Sequence, residues 1–492
     1  MYLLGIDLGT SFIKATLVDA TTKKPIISLT YPEQEIPIDA AQPDWAEQDP
    51  NLWWSNVQAV ILKLKQSHGQ LFPAIAAIGI AYQMHGLVCV DKHKNVLRES
   101  IIWCDSRAVA IGKQAFETIG KEKCLAHLLN SPGNFTASKL KWVKDNEPET
   151  YNRIDKIMLP GDFIAMKLTG ETNTSISALS EGVFWDFKER KVSDDVLNYY
   201  GFDKKIIPDI QNVFENHGTV TDDIAEKLGL PKGIPVAYKA GDQPNNALSL
   251  HALKPGEVAA TAGTSGVVYA VTDQLLYDRE SRINGFAHVN HTNEQPRIGV
   301  LLNINGVGIA NSWMRKIAAN GLGYHAMNEK AAQVKPGSDG LQVLPFGNGA
   351  ERMLGNRIIQ AHIDNIQFNI HGDAHLYRAV QEGIAFAFRY GVDIIRENGL
   401  DLSVIRVAHA NMFLSPVFAQ TFVNTLSVPI ELYPVDGSVG AALGAGIGAG
   451  VFANEDEAFA DTKPIKRIVP ETTDLYETLY QSWKELLNKH II

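Results

Sequence analysis

Leu3-Leu4-Gly5-Ile6-Asp7-Leu8-Gly9-Thr10-Ser11 reads as an apolar strand, an acid and a tight turn, and it has a near copy halfway along the chain, Val258-Ala259-Ala260-Thr261-Ala262-Gly263-Thr264-Ser265-Gly266. Each Gly-Thr-Ser leads into a second apolar run, Phe12 to Val18 in one case and Val267 to Val271 in the other. The pattern is strand, turn, strand, twice. Glycine lets such a turn take a positive φ, and backbone N–H groups with Thr and Ser hydroxyls can then face a phosphate. Two copies predict two similar domains, each offering one phosphate-facing hairpin to a shared cleft. Two ordinary glycine hairpins would read the same locally, because tight turns need glycine in any case.

Working outward, short apolar strands alternate with amphipathic helices. Ile75 to Ile80 and Leu87 to Val90 read as strands, and Asn51 to Gln66 as a helix with Asp49 as cap and Pro50 in its first turn. Thr136 to Asn146 reads as a second helix. Val236 to Ala240 is a strand ending at Gly241-Asp242, and Asn245 to Leu253 looks helical. Further on, Leu341 to Pro345, Ile405 to Ala410 and Ile430 to Tyr433 read as strands, and His375 to Glu397 and Pro416 to Leu426 as helices. The alternation predicts an α/β protein. The change of domain is expected at residues 245–257, around Lys254-Pro255-Gly256, which divides the chain into 1–246 and 247–492.

The 492 residues exceed what one hydrophobic core usually supports, so two or three domains are expected. A net charge of −10 argues against a general nucleic-acid or anionic-membrane surface. A polyphosphate ligand would have to be held locally, by backbone N–H groups, Mg²⁺ and a few basic side chains. Cys89, Cys104 and Cys124 lack metal-type spacing and fit a reducing cytosol. Met1 runs straight into a core strand, so no signal peptide is expected. The longest small-apolar run, Ala441 to Ala453, is shorter than the ~18–20 residues of a membrane helix. It reads as a buried helix packed closely on a sheet or a ligand. A cytoplasmic protein with no membrane or nucleic-acid partner is expected, and a homodimer stays open.

Several residues carry candidate chemistry. Asp242 ends a strand in Ala240-Gly241-Asp242-Gln243-Pro244, at the rim of a sheet where α/β ligands bind. It reads equally as a reactive carboxylate or as a helix N-cap. Asp7 interrupts an apolar strand, and a buried carboxylate needs a partner or a cation. It reads as a water-mediated Mg²⁺ contact or as a hydrogen-bond acceptor across the turn. Thr10, Ser11 and Lys14 would lie beside a transferred phosphate. His85 in Gln83-Met84-His85-Gly86 sits in a stretch that should be core, as a structural histidine or a ligand contact. Asp105 and Arg107 follow Trp103. They suit a polyol pocket with Trp103 as its aromatic face, or form a local salt bridge.

The Asp7 hairpin, Gly241-Asp242 and Gly263-Thr264-Ser265 together resemble the FGGY carbohydrate kinases of the actin/hexokinase-like ATPase superfamily. Pro43-Asp44-Trp45-Ala46-Glu47-Gln48-Asp49-Pro50 with Trp53-Trp54, Gln83-Met84-His85-Gly86 and Trp103-Cys104-Asp105-Ser106-Arg107 are similar to segments of that family. So are Phe135-Thr136-Ala137-Ser138-Lys139-Leu140-Lys141-Trp142-Val143 and Asp436-Gly437-Ser438-Val439-Gly440-Ala441-Ala442-Leu443-Gly444. The resemblance runs from the first residues to about residue 450.

It implies two ribonuclease-H-like domains around a central cleft, each a five-stranded mixed sheet flanked by helices. It implies ATP-dependent phosphorylation of a ketopentose, D-xylulose first, with Asp242 as general base and Asp7 and Asp242 near Mg²⁺. Met84, His85, Trp103, Asp105, Arg107, Asp242 and Gln243 would meet the sugar. Thr10, Ser11, Lys14, Gly263, Thr264, Ser265, Gly306, Ala410, Asn411, Gly437 and Gly440 would meet ATP, with Gly437 to Gly446 along the adenosine. Two departures stand out. Ala410-Asn411-Met412 occupies the place of the family's usual glycine run, and Gln243 follows the base where Asn is usual. Gluconate, ribulose or glycerol phosphorylation, or a non-catalytic nucleotide-binding regulator, are the alternatives.

Overall fold

The computed structural model describes residues 1–319 and 321–491. Each half of the chain builds one large mixed sheet, with short two-stranded ribbons beside it. The first has five strands in the order Val236–Gly241, Ile75–Tyr82, Tyr2–Leu8, Ile13–Asp19, Pro25–Tyr31. Its first three strands run parallel, and the last two add antiparallel. The central strands are buried along almost their whole length, as strands covered on both faces must be. Pro25–Tyr31 closes the edge, with a proline at its first residue and an alternating, half-exposed pattern.

The second sheet repeats this order and these directions with Ile430–Tyr433, Val404–Ala408, Glu257–Ala262, Gly266–Thr272 and Ile298–Ile304. The duplication visible in the two Gly-Thr-Ser stretches is therefore a duplication of the whole sheet. Five strands were expected here and seven are found. Asn284–Ala287 adds antiparallel to Ile298–Ile304 at one edge, and Lys466–Ile468 to Ile430–Tyr433 at the other. Both are short, and neither carries a long alternating pattern.

Helix Pro50–His68 has Asp49 as its cap, accepting from Asn51 N at 2.8 Å, and turns Trp53, Trp54, Val57, Val60, Ile61 and Leu64 inward. Helices Thr136–Asn146 and Pro416–Leu426 have the predicted bounds. The helix expected from Asn245 begins three residues earlier, as Asp242–Ser249, with Gly241 at the cap. Asp242 is thus not the N-cap. It lies in the first turn, directly off the strand.

The division at residue 246 does not separate the packing. Helix Gly437–Gly448 lies across the first sheet, and Ala441, Ala442 and Leu443 share a core with Leu3, Val18, Ala77 and Tyr238. Glycines in the two central strands permit the contact. A Cβ on Gly5 would fall 1.8 Å from the Ser438 carbonyl oxygen, and one on Gly79 would fall 1.9 Å from that of Ala441. Opposite this joint, the edge strand of the second sheet docks on the first half. Ser177 Oγ donates to Ala287 O at 2.8 Å, Ala287 N donates to Ser180 Oγ at 2.9 Å, and Asn130 Nδ2 donates to Gly285 O at 2.7 Å. Among the described residues no helix is long and apolar enough to cross a membrane.

Candidate active site

Four segments of the first sheet meet at one end. Asp7 is the penultimate residue of its strand and pairs across the hairpin with Lys14. Gly241 pairs with Tyr82 on the neighbouring strand, so Asp242 emerges at the same rim. The N-terminus of helix Gly437–Gly448 closes the group. Its cap, Asp436, takes Ser438 N at 3.0 Å and lies 3.4 Å from Lys14 Nζ. Gly437 is glycine because Asp7 is there: a Cβ would sit 2.6 Å from Asp7 Oδ2. Asn245 Nδ2 donates to Gly437 O at 2.8 Å and ties the two helices together.

The electrostatics follow from this crowding. Burial, with Asp436 nearby, lifts the Asp7 carboxyl from 3.8 to about 6, while Lys14 opposes the shift. Burial, with Asp7 nearby, lifts Asp242 to about 7, while hydrogen bonds from Gln243 oppose it. The Gln243 Oε1 is buried without a partner. It is a buried acceptor with nothing bonded to it, next in sequence to the carboxylate.

Met84 is buried against Gly241. His85 has φ +64° and is held on every side. Its Nδ1 lies 2.9 Å from the Glu181 carbonyl oxygen, which only accepts, so Nδ1 carries the proton and Nε2 is an acceptor. Burial and the cation of Lys139 press its pKa to about 3, so the ring stays neutral. The His85 carbonyl accepts from Lys139 Nζ at 3.0 Å and Thr136 Oγ1 at 3.2 Å. Lys139 is fully buried and also donates to Ile102 O at 2.8 Å. Glu181 receives Tyr82 Oη at 2.6 Å, and burial raises its carboxyl well above the usual range. Lys139 lies inside a segment the sequence singles out, but nothing marked its role. Glu181 has no sequence signal at all.

Trp103 is half-exposed, and its indole N–H donates to Thr10 Oγ1 at 2.9 Å. The Thr10 hydroxyl in turn donates to Gln83 Oε1 at 3.1 Å. The expected Thr10 hydroxyl donor to phosphate is therefore spent, which leaves the turn's backbone and the partly exposed Ser11. The expected sugar contacts Asp105 and Arg107 are corrected more fully. Asp105 has no exposed surface and accepts from Ala46 N at 2.7 Å. Arg107 pairs with it at 2.6 Å and with Glu47 at 2.7 Å, and its guanidinium lies 3.8 Å from the Trp45 ring centroid. They brace the loop behind Trp103 and offer no free polar atom.

In the second half, Gly263, Thr264 and Asn411 line a cavity of about 480 Å³ with Gly308, Asn311, Ser312, Tyr324 and Asn328. Gly308 N donates to Gly263 O at 2.8 Å, which places a helix N-terminus beside the turn. Ser265 completes that turn, and Ala410 precedes Asn411, whose φ is +54°. An asparagine tolerates the left-handed conformation a glycine would otherwise supply. Two glycines expected at ATP are also required by packing. A Cβ on Gly306 would sit 1.7 Å from Pro345 O, and one on Gly440 would sit 1.8 Å from Ser249 Oγ. Tyr324, Asn328, Asn311 and Ser312 escaped the sequence reading because helix-borne polar residues carry no turn signature.

A duplicated ribonuclease-H-like unit, with paired acids at one sheet rim and a glycine turn opening a cavity at the other, defines a phosphotransferase of the actin/hexokinase-like ATPase class. The chain belongs to the FGGY family of carbohydrate kinases: the family's N-terminal domain matches residues 2–249 and its C-terminal domain residues 258–452. It is thus a sugar kinase that uses ATP. The chain is 27% identical to the xylulose kinase of Escherichia coli over 463 residues, covering 94% of this chain and 92% of that one. The solved xylulose kinase of Rhodospirillum rubrum superposes with a TM-score of 0.88 at 25% identity, covering 99% of both chains. A gluconate kinase from Lactobacillus acidophilus has the same fold, with a TM-score of 0.90 at 21% identity over 100% of this chain and 98% of that one. Kinases named for different acceptors share this backbone, so the acceptor must be argued from side chains.

Proposed function

We propose that the protein transfers the γ-phosphoryl group of ATP to a primary hydroxyl of a ketopentose, D-xylulose first, with Asp242 as general base. The observation that carries this is the Asp242 carboxyl, off a strand end at the rim and lifted to about 7. A base is most effective when its pKa lies near the working pH. Gln243, Met84 and His85 form the acceptor wall: Gln243 Oε1 and His85 Nε2 each accept from a sugar hydroxyl, and Trp103 supplies an apolar face. Asp242 takes the proton as the hydroxyl oxygen attacks phosphorus in line. The Gly9–Ser11 and Gly263–Ser265 turns surround the transferring group with backbone N–H donors, and Lys14 adds charge. The adenosine occupies the cavity lined by Asn411 and Tyr324.

Asp7 and Asp242 fit Mg²⁺. They are hard oxygen donors, and no set of three or more metal-type side chains occurs among the described residues, which suits an ion held by few carboxylates, water and phosphates. The ion would neutralise charge on the phosphates. The xylulose kinase relatives favour D-xylulose, and three free cysteines favour a reducing cytoplasm.

Coupled ADP release with D-xylulose, D-ribulose, D-gluconate and glycerol tests the reading. D-xylulose should give the highest kcat/KM. Turnover of an aldonate or polyol without turnover of D-xylulose overturns the choice of sugar.

A further inference from the structure

Arg352 comes from the second half of the chain and reaches the acceptor wall of the first. Its guanidinium lies 5.9 Å from the Phe135 ring centroid, and Phe135 packs edge-on against His85 at 4.9 Å. Phe286, also from the second half, completes the cluster at 5.4 Å from His85 and 5.9 Å from Phe135. Arg352 makes no ion pair among the described residues; its side chain's one hydrogen bond there is from Nη1 to Ser281 O at 3.4 Å. Arg98, Arg107 and Arg378, whose side chains are also largely buried, are each paired with a carboxylate. Burial pulls the Arg352 pKa down with no acid to restore it.

Arg352 is partly buried, and a partly desolvated cation with unused donors is costly unless something completes it. Guanidinium has five N–H groups in a planar fork and no acceptor, so it selects oxygen acceptors, above all planar ones. The contacts run in order from Asp242 through Gly241, Met84 and His85 to Phe135 and Arg352. Arg352 thus reaches the acceptor wall through Phe135 and His85 and not through Asp242.

We infer that Arg352 reads the far end of the acceptor, donating to a planar oxygen there: the ketone of an open-chain ketose or the carboxylate of an aldonate. This rests on the proposed placement of the reacting hydroxyl at Asp242. It makes Arg352 the second lobe's own contact with the sugar, so a substrate bearing that oxygen bridges both lobes. An alditol, with only tetrahedral hydroxyls, is rejected.

The test is calorimetric binding of two matched pairs, D-xylulose with xylitol and D-gluconate with D-glucitol. It uses wild type, Arg352→Met and Arg352→Lys, with a non-hydrolysable ATP analogue present. Wild type should bind the planar-oxygen member of one pair about 10–100-fold more tightly than its alditol, the worth of a charged hydrogen bond. Arg352→Met should abolish that preference and leave alditol and nucleotide affinity unchanged. Arg352→Lys, which keeps the charge and loses the fork, should retain part of it and controls for folding. The pair that responds identifies ketone or carboxylate. A response confined to the gluconate pair overturns the ketopentose reading and leaves the role of Arg352 standing. Preference retained in Arg352→Met, equal weakening of both members, or no preference in wild type overturns the inference.

Discussion

Replacing Asp242 with Asn should stop turnover and at the same time make the protein more stable. The carboxyl is lifted from 3.8 to about 7, chiefly by burial. A carboxyl whose pKa is higher folded than unfolded resists ionisation in the folded state. The fold carries no penalty below about pH 4, loses stability as pH rises toward 7, and bears the full penalty above it. A shift of about 3 units at about 1.4 kcal/mol each sets a ceiling of about 4 kcal/mol. Asp242 is partly exposed and coupled to Asp7, so solvent screening reduces this, and about 1–2 kcal/mol is the expected gain. Asparagine cannot ionise and escapes the penalty. Urea unfolding of metal-free, ligand-free protein should show the variant more stable than wild type at pH 8, with the difference shrinking as pH falls and vanishing below the unfolded carboxyl's 3.8. Removing a general base should lower kcat by about 10²–10⁴-fold. Equal stability at pH 8, a gain independent of pH, or near-normal kcat would refute the reasoning.

Four further outcomes are expected. His85→Ala should raise the sugar KM and cost about 1–3 kcal/mol in kcat/KM, because a hydroxyl loses its acceptor, with the ATP KM unmoved in steady-state kinetics. Arg107→Met should act on the fold, since breaking a buried ion pair leaves Asp105 uncompensated at about 3–5 kcal/mol; a raised sugar KM with unchanged melting would restore Arg107 to the pocket. Gly79→Ala should lower soluble yield and melting temperature sharply, because the Ala441 carbonyl would lie 1.9 Å from the new methyl and the helix carrying it cannot yield locally. Tyr324→Ala should raise the ATP KM several-fold and leave the sugar KM unchanged, since Tyr324 lines the cavity proposed for the adenosine.

The fold was legible because it is written twice, and because its central strands are apolar runs interrupted by an acid and a glycine turn. The added edge strands were not legible: Asn284–Ala287 is four residues long and Lys466–Ile468 three, too short to establish a period. In the site, Asp7, Asp242 and the two turns stood out because acids in apolar strands and Gly-Thr-Ser turns are rare locally. The reading failed where side chains serve packing. Gly440 and Gly306 read as ligand glycines, and the sequence could not show that Ser249 and Pro345 also need their small volume. Asp105 and Arg107 look like a polar pocket, and only the positions of Glu47 and Trp45, far away in sequence, turn them into a closed pair. Arg352 was invisible for the opposite reason: an isolated arginine carries no signal until its lack of a partner is seen.

Helix Gly437–Gly448 has a consequence for the order in which the molecule can be made. The strands it covers, Tyr2–Leu8 and Ile75–Tyr82, leave the ribosome hundreds of residues before the helix that covers them. At about 5–20 residues per second, the two are separated by roughly twenty seconds to a minute and a half of translation. Through that interval the trough over Gly5 and Gly79 has no native occupant, and the apolar residues around it, Leu3, Val18 and Ala77, stay open to chaperones or to misfolding. A fragment ending before residue 437 would remain in that condition permanently. The nascent chain completes an early-made sheet with a late-made helix, and termination anywhere between the two would yield a product that quality control can recognise.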